Sequence, residues 1–400
     1  MSKYTQVAKT PGVSRIMAAQ LVARFPGGMY SLGVLMHIEQ QHGSYGAAGL
    51  VLAAMSIGQG ISGPVTSRWM GRFGTRRVLL ATMIVCIAAI LTIAVFPLPV
   101  WGAMIAGFIG GFAFPPVLPA VRTLYPKMVP QKLLTSLFSL DATLQEVIWV
   151  IGPVAVTFMA TQVGTTEGLL LALAFQLLGT LWFTFSPEIG KLRIPLAKRK
   201  LGVVLRKRPV LLSMVAGLLL IGSCSAIEAG VVSLFGHGNA NAGIILGIYA
   251  IGSFAGGLSF GHLPVRRHSL GLRLVLVLFG TALSAFLLDF WGLALALFIA
   301  GLGIAPALAA MSSIVAGTVK FSDTAEAYGW VGTGQLIGAA TGSAIAGFSI
   351  DAFGAAGAMW TAIVYVALAA AVALVFRKHQ PDLRHGIESP ADTGPMELAR

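Results

Sequence analysis

The chain has 400 residues, of which 56% are apolar and only 10% are charged, and its formal net charge is +13. A soluble globular protein carries about 25% charged residues, so a chain with this much apolar surface needs lipid as its solvent. The basic residues stand in short clusters between long apolar runs, and no nucleic-acid-binding motif accompanies them. This composition excludes a soluble protein, argues against a nucleic-acid partner and predicts a protein of the lipid bilayer.

Twelve apolar runs follow one another along the chain, and each is long enough to cross a bilayer core about 30 Å thick as a helix. None alternates in the manner of a β-barrel strand. The predicted fold is therefore an all-α integral membrane protein with twelve transmembrane helices. The predicted spans are 15–37, 46–69, 77–97, 100–123, 135–160, 166–186, 210–235, 242–262, 270–289, 291–316, 325–349 and 356–377.

The basic residues indicate how the spans are oriented. They occupy the N-terminal arm, the segment between spans six and seven, the C-terminal tail and every second short loop, whereas opposite loops such as TQVGTT and HGNANAG contain none. Cytoplasmic loops are enriched in Lys and Arg. We therefore expect both termini in the cytoplasm, with the protein in the inner or plasma membrane. Arg24, inside the first span, is the one basic residue that does not fit this partition.

An internal repeat divides the chain into two halves. A parallel repeat around a basic central segment is the layout of secondary transporters in which one bundle rocks against the other; an old duplication without a transport role is the alternative. We predict a first six-helix bundle over 1–187, a linker over 188–209, a second bundle over 210–378 and a flexible tail over 379–400. The matched positions include Trp101/Trp291, Phe108/Phe298, Gly111/Gly301, Pro116/Pro306 and Gln145/Gln335 at one offset, with Gly58/Gly252 nearby.

The loop after the second span carries the sequence GPVTSRWMGRFGTRRVLL, which begins at Gly63 and resembles the signature loop of the major facilitator superfamily. The resemblance implies the two-bundle transporter fold of that family. Where the family has an Asp that latches the bundles on the cytoplasmic side, this chain has Gly71, so the latch must be weaker or built differently. The residues that fit the family pattern as a cytoplasmic gate motif are Gly63, Arg72, Gly74, Arg76 and Arg77.

Two acidic residues at the start of the eleventh span bear on that latch. Asp323 and Glu326 have the spacing of a capping box at a helix N-terminus. They are also candidates to meet Arg72 or Arg76 and replace the missing Asp of the latch.

The fifth span contains Gly152–Pro153, which resembles the core of a motif found in drug–proton antiporters of the same superfamily. The resemblance implies proton antiport. Neighbouring positions, among them Ala142 and Trp149, depart from the motif. A proline-bent helix that lets two bundles approach each other explains the pair equally well.

Ionisable side chains inside spans are costly and therefore candidates for function. At ~1.5 Å per residue, Arg24 lies ~14 Å from the cytoplasmic surface, Asp141 ~9 Å, Glu146 ~17 Å and Glu228 ~27 Å. A guanidinium forks well onto a carboxylate, so we predict an Arg24–Glu146 pair with Asp141 in reserve. Glu146 would take up a proton when the pair breaks, whereas a permanent structural pair is the alternative. Glu228 is either a further coupling group or a side chain near the outer water boundary.

Helix-breaking residues at membrane depth are tolerated only where protein or a water-filled cavity satisfies the backbone. Pro26-Gly27-Gly28 is predicted to break the first span, and Pro115 and Pro116 the fourth. Polar and aromatic residues near the predicted cavity are candidate substrate contacts, and ordinary packing explains each of them as well. They are Tyr30, Gln145, Trp149, Trp330 and Gln335.

These observations favour a proton-driven secondary transporter, preferably one that exports small amphipathic or drug-like molecules. Uptake of a small metabolite or sugar is the alternative within transport, and a non-transporting membrane sensor on the same scaffold is the alternative outside it. The sequence has no nucleophile motif, phosphate-binding loop or metal-ligand spacing, so we expect no enzyme activity, cofactor or metal. The expected partners are a small-molecule substrate, protons and the lipid bilayer, and the expected state is a monomer.

Overall fold

The computed structural model describes residues 3–195, 200–235 and 240–383, and the regular secondary structure in these ranges is helical. The helices of the first half are α1 (Lys3–Lys9), α2 (Val13–Arg24), α3 (Pro26–His42), α4 (Tyr45–Phe73), α5 (Thr75–Val95), α6 (Val100–Phe112), α7 (Val117–Met128), α8 (Gln131–Gln162), α9 (Thr165–Phe185) and α10 (Pro187–Lys191). Those of the second half are α11 (Arg208–Phe235), α12 (Ala240–Phe260), α13 (Ser269–Ser284), α14 (Phe290–Thr318), α15 (Phe321–Phe353) and α16 (Ala355–Val375), with 3₁₀ turns at Val203–Arg206 and Phe376–His379.

Each predicted span falls on one of these helices or on two consecutive ones. Within the described ranges, 10 helical segments are long and apolar enough to cross a membrane. The helix α13 is apolar but shorter, and the first predicted span is divided into α2 and α3. The all-helical, multi-pass prediction is confirmed, whereas the count of twelve crossings stays a prediction.

Two spans are broken where the prolines predict it. Pro26 has no N–H to continue the helix, and α2 ends at Arg24 before α3 begins at Pro26. In the fourth span, Pro115 and Pro116 lie in the break between α6 and α7. Pro306, the repeat partner of Pro116, lies within the continuous helix α14. The two halves therefore differ at this matched position.

The repeat is visible in matched close approaches of helix backbones. A Cβ added at Gly58 of α4 would clash with the carbonyl oxygen of Phe108, and one added at Gly252 of α12 would clash with that of Phe298. These are corresponding residues of the two halves. Small residues allow such close helix crossings, so the same glycine packs the same pair of helices in each half.

The buried apolar residues form two separate cores. One core, around Met29, Val34 and Ile90, is confined to the first half. The other runs from Ile16 and Leu124 of the first half into the second half without interruption. The core that contains Ile16 and Leu124 thus joins the two halves, whereas the core around Met29, Val34 and Ile90 belongs to the first half alone.

Only the beginning of the predicted flexible tail lies within the described residues. There the backbone N–H of Leu383 donates to the carbonyl of Val265 at 2.8 Å, and Gln380 Nε2 donates to the carbonyl of Ala373 at 2.7 Å. Residues 379–383 are therefore docked on the second half. Residues 384–400, and residues 196–199 of the predicted linker, lie outside the described residues.

Candidate functional site

The two ends of the helix bundle carry opposite charge. The basic end is the one where α4 passes into α5 and where α11 begins, and it holds the Lys- and Arg-rich loops. The acidic end is the opposite one, where α3 ends and α9 begins. The loops and helix ends there contain no Lys or Arg in the sequence, and they carry Glu39, Glu167, Asp289 and Asp351.

Helices α4 and α15 close the seam between the two halves near the basic end. A Cβ at Gly63 would lie 2.9 Å from the carbonyl oxygen of Gly329, so the two backbones are almost in contact. Thr333 Oγ1 donates to the carbonyl of Gly60 at 2.6 Å. The predicted gate residue Gly63 is therefore a contact between the halves, and its lack of a side chain is required there.

Helices α8 and α12 close the same end of the seam on the other side. Ser139 Oγ donates to the carbonyl of Gly257 at 2.7 Å. The hydroxyl of Tyr4, from the short N-terminal helix α1, donates to the same carbonyl at 2.6 Å, and its ring packs edge-on against His262 at 5.7 Å. The N-terminal arm therefore adds a contact between the two halves at this seam.

The halves separate toward the acidic end. The apolar core of the first half is distinct there, and α3 and α6, toward this end, pack chiefly within their own half, whereas α7, toward the basic end, also packs against α15. A cavity of about 610 Å³ lies against α11 and α15. The structure is therefore closed at the basic end and open at the acidic end. The cavity is lined by Ser225, Glu228, Ala229, Val232, Ser233, Ser343 and Ile350.

A charged cluster lies buried in the first half, centred on Asp141 of α8. The carboxylate is fully buried and accepts hydrogen bonds from Gln20 Nε2 at 3.1 Å and from the Tyr125 hydroxyl at 3.0 Å. Two guanidinium groups, those of Arg24 and Arg122, each lie 3.4 Å from it. One buried carboxylate thus serves two arginines, and the cluster carries one positive charge in excess.

This arrangement corrects the predicted Arg24–Glu146 pair. Arg24 pairs with Asp141 and also donates to Gln20 and to Gln145. The prediction was wrong because Gln145 and Glu146 are adjacent on one helix and point in different directions. Depth along the membrane cannot distinguish them, since helix neighbours differ by only about 1.5 Å in rise but by about 100° in direction.

The sequence reasoning also missed Arg122 as a site residue. The predicted fourth span ends at 123, which places Arg122 at its basic end, but α7 continues to Met128 and buries the side chain. Its guanidinium lies 5.9 Å from the ring centroid of Tyr328 on α15, so the charged cluster reaches the second half. The available signal was its spacing from Tyr125, which places both side chains on one face of a helix.

Glu146 bridges the two halves near the point where they separate. Its Oε1 accepts a hydrogen bond from Ser253 Oγ of α12 at 2.8 Å. Among the described residues no basic side chain forms an ion pair with it. Glu228 lines the open cavity and is close enough to Glu146 for the two carboxylates to interact electrostatically. The structure thus places Glu228 in the cavity wall with Glu146 close to it, and it places Arg24 and Asp141 in the buried cluster.

The latch at the basic end is built from a different arginine than predicted. Arg68 Nη1 of α4 lies 3.5 Å from Glu326 Oε2 of α15. Arg76 instead donates to the carbonyls of Thr184 and Ser186 within the first half. Glu326 also accepts from the backbone N–H of Gly202 at 2.7 Å, which ties the linker to the second half.

The predicted capping box at the eleventh span is wrong. Helix α15 begins at Phe321, and its N-cap Lys320 forms no side-chain capping bond. Glu326 lies in the second turn and uses its carboxylate on Arg68, while Asp323 contacts the neighbouring Ser322 hydroxyl. At the position of the missing family Asp, a Cβ on Gly71 would lie 3.2 Å from the carbonyl oxygen of Pro195 of the linker. The linker thus occupies the space beside Gly71.

The predicted substrate contacts fall in different places. Gln145 contacts Arg24, and Gln335 is half-buried beside Gly217 of α11. Trp149 is 55% exposed.

Tyr30 is buried in the core of the first half, with its hydroxyl beside Cys86. Trp330 lies at the closed basic end, where its Nε1 is 3.4 Å from Glu326 Oε1 and its ring is near Gly202. Neither side chain lines the cavity described above. Both were selected by residue type and approximate depth, and neither criterion specifies the direction in which a side chain points.

Comparison with protein families gives a match to the model of the Major Facilitator Superfamily over residues 16–288 and again over 225–396. Comparison with curated proteins gives no significant match.

Solved structures with the same fold include the human organic anion transporter MFSD10 (TETRAN), with a TM-score of 0.70, 15% identity and coverage of 90% of this chain and 98% of that one. A bacterial homologue of the iron transporter ferroportin in an outward-facing state has a TM-score of 0.70 and 13% identity, covering 91% of this chain and 99% of that one. The transporter FucP in its outward conformation has a TM-score of 0.68 and 14% identity, covering 91% and 98%. At these identities the likeness concerns the fold.

Proposed function

The chain belongs to the major facilitator superfamily of membrane transporters, and from this premise we propose that it exports small amphipathic molecules in exchange for protons. The two halves would rock about the seam between them and expose the cavity to one side of the membrane at a time. A single chain contains both halves, so the proposed working unit is a monomer.

The proposed orientation puts the basic end in the cytoplasm, because Lys and Arg are enriched in cytoplasmic loops. With that orientation the conformation described above is outward-open. Its likeness in fold to two transporters captured in outward-facing conformations supports this assignment.

The observation that carries the coupling proposal is the hydrogen bond between Glu146 and Ser253. These two residues lie on opposite halves, so the bond exists only while α8 and α12 are together. When the halves rock apart at this seam, the carboxylate loses its partner and gains access to water. Its protonation is thereby linked to the conformation of the protein, as proton-coupled transport requires.

Export is preferred over uptake because the cavity wall carries both apolar and polar side chains. Val232 and Ile350 offer apolar surface, and Ser225 and Ser343 offer hydroxyl groups. Such a wall suits an amphipathic molecule better than a sugar, which needs many directed hydrogen bonds. Uptake remains the second candidate, favoured by the open acidic end and by the fold shared with a fucose:proton symporter.

The test of coupling is Glu146→Gln in proteoliposomes with an imposed pH gradient and a pH-sensitive dye inside. A panel of amphipathic compounds is screened on the unaltered protein, and substrate-induced proton flux is recorded. We expect Glu146→Gln to abolish proton flux while substrate exchange at equal pH continues. The matched control is Glu39→Gln, which removes a carboxylate at the acidic end, away from the seam.

The outcomes separate the candidate functions. Proton flux in the Glu146→Gln protein equal to that of the unaltered protein contradicts the coupling role. If the substrate moves in the same direction as the protons, the protein is a symporter, and uptake replaces export as the proposed function. Absence of flux with every compound favours the non-transporting sensor.

A further inference from the structure

We propose that Glu228 is the binding site for the positive charge of a cationic amphipathic substrate, so that the outward cavity selects organic cations over anions and neutral molecules. This inference rests on the proposed transport function and names the substrate class of its cavity.

The first support is exposure. Glu228 is solvent-exposed in the wall of the cavity, although it belongs to a helix whose opposite face is buried against the rest of the second half. A carboxylate held in a cavity with low-dielectric walls attracts cations more strongly than one on an open surface. No ion pair engages Glu228 among the described residues. The charge is therefore available to a ligand.

The second support is the sign of the accessible charge. The guanidinium groups of Arg24 and Arg122 are both at least 90% buried and directed at Asp141. On the cavity side Glu228 is exposed, while Glu146 is half-buried and bonded to Ser253. An anion that entered the cavity would meet the Glu228 carboxylate in its wall, whereas no arginine or lysine is among the described residues that line it.

The third support is the charge of the approach. The acidic end has carboxylates at four helix ends and no Lys or Arg in its loops. Charges of one sign around a cleft raise the local concentration of ligands of the opposite sign. The rim therefore favours cations before contact, and Glu228 provides the contact itself.

The fourth support is the surface around the carboxylate. Ala229, Val232 and Ile350 provide apolar surface beside it, and the cavity volume of about 610 Å³ is in the range of a drug-sized ligand. A small hydrated inorganic cation would leave this apolar surface unused. An organic cation would place its charge at Glu228 and its apolar body on Val232 and Ile350.

The test uses two probes of the same shape and opposite charge, tetraphenylphosphonium and tetraphenylborate. Equilibrium binding to the purified full-length protein in detergent is measured for the unaltered protein, Glu228→Gln and Glu228→Asp. We expect tetraphenylphosphonium to bind about tenfold or more tightly than tetraphenylborate, and Glu228→Gln to weaken tetraphenylphosphonium by about tenfold, which corresponds to about 1.4 kcal/mol. Glu228→Asp keeps the charge and should retain most of the affinity, while Asp323→Asn, which removes a carboxylate at the basic end, away from the cavity, should leave it within about twofold.

Equal affinity for the two probes, no measurable binding of tetraphenylphosphonium, or unchanged affinity in Glu228→Gln would each overturn the proposal. A loss of both probes together in Glu228→Gln would also overturn it, because it would indicate a disturbed cavity instead of a charge contact. Equilibrium binding in detergent requires neither a proton gradient nor a direction of transport. If the protein shows no proton flux but still binds the cation selectively, the proposed proton-coupled export is refuted and the cation site at Glu228 is not.

Discussion

At the residue scale, Asp141 is the side chain on which the first half depends most. It accepts from four donors, two of them charged, and it has no exposed surface. Removal of one partner of a buried charge group is costly because the remaining charge is left without compensation. Here the two remaining charges, Arg24 and Arg122, would also repel each other.

We therefore expect Asp141→Asn to lower the free energy of unfolding by about 3 kcal/mol or more, although the substitution barely changes the side-chain volume. The measurement is the thermal unfolding midpoint in detergent, followed by intrinsic fluorescence. Glu146→Gln is the matched control, since it neutralises a carboxylate on the same helix that has no basic partner among the described residues. Equal midpoints for the two variants would show that the arginines do not depend on Asp141.

At the element scale, glycines determine how closely the helices cross. Gly252 of α12 touches the backbone of α14 at Phe298, whereas Gly243, on the same helix, has open space around its Cβ position. A methyl group at Gly252 must push α12 and α14 apart, and overpacking of this kind typically lowers the free energy of unfolding by about 1–3 kcal/mol. A methyl group at Gly243 would meet no heavy atom within 4 Å.

We expect Gly252→Ala to lower the unfolding midpoint clearly, and Gly243→Ala to leave it unchanged or raise it slightly because Ala favours helix formation. Both variants are measured by the same thermal unfolding experiment. If Gly252→Ala were as stable as Gly243→Ala, the close approach of α12 and α14 would not be required for folding.

At the scale of the whole molecule, the closed basic end is held by weak contacts that can be exchanged. The Arg68–Glu326 pair at 3.5 Å is partly exposed, and such pairs contribute up to about 1 kcal/mol. Tyr4 adds a hydrogen bond across the α8–α12 seam, and burial raises the pKa of its phenol, so it remains a donor at neutral pH. Weak contacts of this kind are consistent with the proposed rocking of the two halves.

We expect Glu326→Gln to shift the protein toward a conformation that is open at the basic end, by roughly fivefold in population for a contact of about 1 kcal/mol. The measurement is the distance distribution between spin labels at Arg77 and Arg267, two exposed positions on opposite halves. Asp323→Asn is the control, because it removes a neighbouring carboxylate that forms no ion pair among the described residues. An unchanged distribution in Glu326→Gln would exclude the pair as a latch.

The helical fold was predictable from local information. Runs of apolar residues fix the helices because an unsatisfied backbone in lipid is too costly, and the prolines that interrupt the first and fourth spans interrupt them in the structure as well. The repeat and the signature loop at Gly63 predicted the family, which is confirmed. Helix ends were less predictable. Helix α7 extends to Met128, past the predicted end at 123, and Arg122 is a buried site residue instead of a charge at the end of a span.

The sequence by itself determined that this chain is a helical membrane protein. It also identified Arg24, Asp141, Glu146 and Glu228 as ionisable residues within the predicted spans. Each conclusion follows from the cost of placing a polar or charged group in lipid. Only the tertiary structure decided that Arg24 pairs with Asp141, that Glu146 meets Ser253 of the other half, and that Arg68 forms the latch with Glu326. The physical reason is directional. Partner choice depends on the face of a helix from which a side chain projects and on how the helices cross, and neither is set by depth or residue type alone.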